Sequence, residues 1–90
     1  MRKRLRMTYI KYVNRKGYMG HWCMDYYVDN VIDVETGDLI CDSYVFKESK
    51  IFKGMGLSLG DTVELTATVS SDKGKTKITY YKDIKKVMDR

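Results

Sequence analysis

The chain of 90 residues has no proline, only two cysteines and a single histidine, and it holds no internal repeat, low-complexity tract or linker. Nothing marks an internal boundary, so residues 1–90 read as one domain whose folding buries roughly 60 to 65% of the surface the unfolded chain exposes. A catalytic domain beside a partner domain would not fit. Two thiols and one imidazole fall short of the four ligands of a usual structural zinc site. No segment is long and apolar enough to span a bilayer. The opening Met1-Arg2-Lys3-Arg4-Leu5-Arg6 resembles the charged head of a secretion signal, but Thr8, Lys11, Asn14, Arg15 and Lys16 interrupt the apolar run that should follow. A cytoplasmic location is therefore expected.

Charge of one sign is missing over long stretches. Residues 1–16 carry seven basic side chains and no acid, and residues 17–46 carry six acids and neither Lys nor Arg. The remainder holds ten basic and six acidic groups, and the formal charge is +5. Such segregation points to a basic surface for nucleic acid, or to local pairing of the first two blocks.

What the chain does have is alternation. The clearest run is Leu59-Gly60-Asp61 followed by Thr62 to Val69, in which Val63, Leu65, Ala67 and Val69 share one face and Thr62, Glu64, Thr66 and Thr68 the other. Period two over that length predicts a half-buried strand. Leu5 to Val13 reads as strand one, with mixed faces that call for a bulge or for use of both sides. After the glycine-containing loop of residues 14–21, Trp22 begins strand two. Met24, Tyr26, Val28, Ile32 and Val34 point one way, and Asp25, Tyr27, Asp29, Val31 and Asp33 the other. Glu35 to Asp38 is a turn, so Leu39 to Phe46 should return antiparallel as strand three. Ile51, Phe52 and Met55 suit one or two helical turns within Lys47 to Gly56. Ser70 to Lys75 predicts a turn, and Thr76 to Val87 strand five, with Ile78 and Tyr80 inward and a change of phase before Ile84 and Val87.

Five strands with a short helix between the third and fourth is the arrangement of the OB-fold, an all-β Greek-key barrel. Tyr9 to Val13, Arg15-Lys16-Gly17, Tyr44 to Phe46, Phe52 with Leu57, and Gly60-Asp61-x-Val63-x-Leu65-x-Ala67-x-Val69 resemble the small OB-type proteins carried by Gram-positive phages and related mobile elements. The chain departs from them in lacking a tryptophan or histidine before the phenylalanine of strand three. The resemblance implies a cytoplasmic accessory protein of a mobile element's DNA metabolism, and it supplies no catalytic residues.

OB barrels commonly hold ligands on strands two and three and in the loops joining strands one to two and four to five. The first loop offers Arg15, Lys16, Tyr18, His21 and Trp22, and the second offers Lys73, Lys75 and Lys77. Cations beside stacking rings are the chemistry that single-stranded nucleic acid needs, though exposed loops are also rich in lysine and glycine for no such reason. The expected interface is Lys11, Arg15, Lys16, Lys73, Lys75 and Lys77 on phosphates, with Tyr18 and Trp22 stacking on bases, in one mouth where both loops meet. The basic residues 1–4 extend that track or form a disordered arm.

Asp25, Asp29 and Asp33 would repel a phosphate backbone. With Tyr27 they form a docking face for a basic replication protein or host factor, or they pair with Arg6 or Lys11 on strand one. Neighbouring aspartates lie roughly 13 Å apart on a strand, too far for one ion held at about 2 to 2.6 Å from each ligand. No metal, cofactor or catalysis is expected of them. Cys41 should face about Ile32, which leaves Cys23 roughly 30 Å along the strand against a disulfide limit of about 7 Å, so two free, packed thiols are expected. His21 has no carboxylate partner at a telling spacing. The function these features predict is non-catalytic binding of single-stranded DNA in replication or processing of a mobile element, with a protein-interaction module as the alternative and the oligomeric state open.

Overall fold

In a computed structural model of the protein, residues 2–47 and 49–87 are described, with the backbone alone at Tyr18. Five strands follow in order: β1 (Arg2–Lys16), β2 (Trp22–Asp33), β3 (Leu39–Phe46), β4 (Thr62–Asp72) and β5 (Lys75–Val87). They form one antiparallel sheet in the order β3-β2-β1-β4-β5. The strand boundaries lie close to those expected from alternation, except that β1 begins at Arg2 and ends at Lys16. Residues 2–4, expected as a possible arm, are strand: Arg2, Lys3 and Arg4 pair with Thr68, Ala67 and Thr66.

One face of the sheet is apolar. Leu5, Met7 and Tyr9 of β1, Tyr26, Val28 and Val31 of β2, and Val63, Leu65 and Ala67 of β4 are buried, with Phe46, Phe52 and Ile78. The Gly60-Asp61 turn delivers β4 to that face. Gly60 N–H donates to the Tyr9 carbonyl (2.8 Å) and Tyr9 N–H to the Asp61 carbonyl (2.7 Å), so the turn continues the β1–β4 pairing. Gly60 sits at φ 93°, where a side chain would be strained.

The expected helix over Lys47 to Gly56 does not form, and no α-helix occurs among the described residues. Lys53 N–H donates to the Lys50 carbonyl and Met55 N–H to the Phe52 carbonyl, which gives isolated turns. Gly54 and Gly56, both at positive φ, interrupt any continuation, and so short a segment cannot offset the cost of helix nucleation. The apolar set still enters the core. Phe52 stands edge-on to Tyr26 (5.3 Å between centroids), Phe46 (5.7 Å) and Tyr9 (6.1 Å).

Bulges change the phase expected on three strands. Tyr9 pairs with Val28 and Lys11 with Tyr27, so Ile10 is an extra residue on β1. Arg6 pairs with Ile32 and Thr8 with Asp29, so two residues of β2, Val31 and Asn30, oppose Met7 alone, and Asn30 takes φ 53°. Beyond Asn30 the side chains swap faces: Val31 and Asp33 turn inward, where Ile32 and Val34 were expected. On β5, Thr68 pairs with Thr79, Thr66 with Lys82 and Glu64 with Lys85, which inserts one residue at Tyr80 and another at Asp83, both at φ 52°. Tyr80, expected inward, is 78% exposed, and Tyr81 takes its place beside Phe46 at 5.4 Å.

The sheet is not closed by a backbone ladder between β3 and β5, so the barrel expected from the sequence is incomplete. The two edges nevertheless meet. Ile78 N–H donates to the Tyr44 hydroxyl (3.0 Å), and that hydroxyl donates to the Ile78 carbonyl (3.4 Å). One phenol therefore satisfies both backbone groups of an edge residue. Replacing Tyr44 by Phe should keep the ring packing, lower stability by about 1 to 3 kcal/mol in urea denaturation, and speed hydrogen exchange at the Ile78 amide.

Candidate nucleic-acid interface

The basic block of β1 is largely occupied by acids of neighbouring strands. Arg6 pairs directly with Glu64 and binds Oε2 through Nη2 (2.6 Å) and Nε (2.9 Å). Arg4 reaches Oε1 of the same carboxylate (3.3 Å), the Thr66 hydroxyl (3.1 Å) and the Asp83 carbonyl (2.9 Å). Lys3, on the inward face, binds Asp33 at 3.0 Å. Arg15 binds Asp25 at 2.7 Å. Lys11 stands over the Tyr27 ring, 5.1 Å from its centroid.

The acidic strand is therefore divided. Asp25 and Asp29 lie outward, Asp33 is inward, and both Asp25 and Asp33 are buried. Arg6 and Lys11, the partners expected for these acids, go elsewhere, and Arg15 and Lys3 take the places. Asp33 also accepts Glu35 N–H at Oδ1 (2.9 Å), which ties the carboxylate to the β2–β3 turn. Of the proposed docking residues, Asp25, Tyr27 and Asp29 share the outer face without Asp33, Asp25 is bound by Arg15, and Asp29 has no ion pair among the described residues.

Alternation separates the residues expected in the first loop, and the Ile10 bulge decides which set takes the core side. Past it, Tyr12, Asn14 and Lys16 share a face with Trp22, Met24 and Tyr26, while Lys11, Val13 and Arg15 share the opposite face with Cys23, Asp25 and Tyr27. Lys16 and Trp22 are direct partners at the end of the ladder. Trp22 is 73% exposed, and the Tyr18 side chain, expected to stack, lies outside the described structure. Met19 at φ 62° and Gly20 at φ 78° turn the chain back, and Gly17 N–H closes the loop on the His21 carbonyl at 2.6 Å.

On the Trp22 face a cleft of about 400 Å³ opens between the hairpin and the segment after β3, with Asn14, Trp22 and Met24 on one wall and Ser49, Lys50 and Lys53 on the other. A second hollow of about 240 Å³ shares Met24 and Lys53 and is walled by Tyr9, Tyr12, Tyr26 and Phe52. Ser49 fastens the far wall: its N–H donates to the Met24 carbonyl (2.9 Å) and its hydroxyl accepts Ile51 N–H (3.0 Å). Burial of Phe52 leaves the flanking Lys50 and Lys53 on the surface. The sequence pattern, read as one or two helical turns carrying Ile51, Phe52 and Met55, missed the lysines of this segment. Their spacing on either side of one apolar anchor was the signal.

Lys73, Lys75 and Lys77 are elsewhere. Lys73 and Gly74 form a two-residue hairpin turn, both at positive φ, between the paired Asp72 and Lys75. That hairpin runs past the Arg2 end of β1, whereas Trp22 lies at the Lys16 end. The ladders thus place the two basic loops at opposite ends of β1.

Cys23 and Cys41 are free and half-buried, pairing with Arg15 and Val31 respectively. Burial, with Asp42 nearby, pushes the Cys41 thiol above its ordinary range. No group of three or more His, Cys, Asp or Glu side chains placed to hold a metal occurs among the described residues. No helix among them is long and apolar enough to cross a membrane. Neither a family model, nor a curated protein, nor a solved structure matches the chain.

Three carboxyls are held below their ordinary range: Glu64 by its bonds to Arg6 and then Arg4, Asp33 chiefly by Lys3, and Asp61 by Ser58 N–H and then Lys86. The unfolded chain thus takes up these protons at higher pH than the folded one. Their contribution is complete above the unfolded values, about 4 to 4.5, and is lost as pH falls through the lower folded values. Urea midpoints should be flat above about pH 5 and drop below about pH 4, with a shallower acid limb for Glu64→Gln.

Proposed function

We propose that the protein is a non-catalytic, OB-type module that binds single-stranded DNA, accessory to replication or processing of mobile-element DNA. The observation that carries this reading is the exposed Trp22 at the rim of a cleft whose far wall supplies Lys50 and Lys53. An indole offers a stacking platform to any base, and ammonium groups across the cleft neutralise the phosphates on either side. Lys16, paired with Trp22, extends the cationic side, and half-exposed Tyr12 offers a second ring in the adjoining hollow that shares Met24 and Lys53. The acids that would oppose a phosphate backbone are turned away: Asp25 lies on the other face of the hairpin, and Asp33 beneath the core. The OB assignment draws support from a sheet in which β1 lies between β2 and β4 while β3 and β5 meet at Tyr44, as in a partly open five-stranded barrel. Docking on a protein partner through the acidic strand has less behind it, because Asp25 and Asp33 are bound internally.

Trp22 is the single tryptophan of the chain, so its emission reports this site without interference. Titration with a short oligothymidylate should quench it, more weakly as salt rises. Trp22→Ala, followed with a labelled oligonucleotide, should lose about 1 to 3 kcal/mol of binding. Undetectable binding at low salt would remove the proposal.

A further inference from the structure

The outer face of β1, β4 and β5 holds seven of the cations that the cleft does not use. The outward residues of β4 are Thr62, Glu64, Thr66, Thr68, Ser70 and Asp72, which on their own make no basic track. Their neighbours supply one. On one side stand Arg6 opposite Glu64, Arg4 opposite Thr66 and Arg2 opposite Thr68. On the other stand Lys85, Lys82, Thr79, Lys77 and Lys75, opposite Glu64, Thr66, Thr68, Ser70 and Asp72.

This alignment depends on the bulges. In a regular strand, residues an odd number of positions apart point to opposite faces. Lys77 and Lys82 are five apart, and Lys82 and Lys85 three, so a regular β5 would put Lys82 on the core side. The extra residues at Tyr80 and Asp83 restore the phase each time. Ile78, Tyr81 and Ile84 then remain against the core. Two left-handed residues that are not glycine are an uncommon and costly way to run an edge strand, and their outcome is a row of lysines on one face. Arg4 braces the second bulge by donating to the Asp83 carbonyl.

Two cationic rows thus flank a row of hydroxyls, separated by two strand spacings, roughly 10 Å. Glu64, the acid at the centre, is already bound by Arg4 and Arg6, and Asp72 lies at the far hairpin. Counting Asp83 as well, seven cations stand against three carboxylates. No aromatic side chain lies in the paired rows; Tyr80 is at the border. Without rings the face is unsuited to unstacked bases. Its width is comparable with duplex grooves, about 6 and 12 Å across, and serine and threonine hydroxyls are usual phosphate ligands.

We infer that the outer face of β1, β4 and β5 is a second binding surface, which grips the phosphate backbone of double-stranded nucleic acid without reading its sequence. This site is separate from the Trp22 cleft and does not rest on its assignment.

The test is fluorescence anisotropy with a labelled mixed-sequence duplex and, in parallel, a labelled oligothymidylate, on wild type, on Lys77→Gln with Lys82→Gln, and on Trp22→Ala. Both lysines are exposed and opposite hydroxyl residues, so the double variant should unfold at the wild-type urea midpoint. Its duplex affinity should fall by about tenfold, equally for unrelated sequences, and the log–log salt slope should shrink by roughly two. Restoring charge with Lys77→Arg and Lys82→Arg should restore both. Trp22→Ala should leave duplex binding unchanged. The inference is overturned if wild type does not bind duplex at low salt, if the double variant binds it as wild type does, or if the protein binds phosphatidylserine vesicles or polyglutamate but not duplex. A wild-type protein that binds duplex but not oligothymidylate would count against the cleft alone.

Discussion

Side chains on a strand alternate between faces, and a single inserted residue reverses every side chain beyond it. In this sheet the insertions at Ile10, Asn30, Tyr80 and Asp83 decide what each face carries. The Asn30 bulge takes Asp33 off the outer face and places it beneath the core, where Lys3 and the Glu35 amide hold it. At Ile10 the switch puts Lys16 and Trp22, rather than Lys11 and Arg15, on the core side of the sheet, so one hairpin has a cleft-lining side and an ion-paired side. The β5 bulges bring Tyr81 and Ile84 to the core while Lys82 and Lys85 stay outside. Packing enforces each phase, because the wrong one would bury a charge or expose a core residue at a cost of several kcal/mol.

The sheet's edges are handled through side chains. β3 and β5 leave backbone groups that a closed barrel would pair, and Tyr44 takes up both groups of Ile78 with one hydroxyl. Phe46 and Tyr81 pack across the same seam. A bulged, lysine-bearing edge strand is also a poor template for another chain, so the features that shape β5 guard against aggregation as well.

The net positive charge does not sit where its density in the chain is highest. Lys3, Arg4, Arg6 and Arg15 all serve internal carboxylates, and the first two sequence blocks do pair locally: Lys3 with Asp33, and Arg15 with Asp25. Cations without such partners come mainly from the second half, at Lys50 and Lys53 beside the cleft and along β5. Arg4 and Arg6 still contribute to the outer face, since one carboxylate between two guanidiniums leaves a positive remainder.

Much of the fold was legible in the sequence by itself. The Val63-Leu65-Ala67 alternation, the Glu35 to Asp38 turn and the sharp pattern after Trp22 fixed the strands to within a few residues and named most of the core, because period two needs only local chain geometry. Trp22 and Lys16 were legible as candidate site residues for the same local reason. The bulges were visible only as blurred alternation, in β1 and before Ile84, since an inserted residue costs or gains free energy only against a partner strand. Tertiary structure alone decided that Phe52 enters the core without a helix, that the two basic loops point to opposite ends of β1, that Lys50 and Lys53 face Trp22, and that Arg4 and Arg6 meet Glu64 some sixty residues away. Each of these is a contact between segments distant in the chain, whose energy depends on register and burial, and no local pattern carries that information.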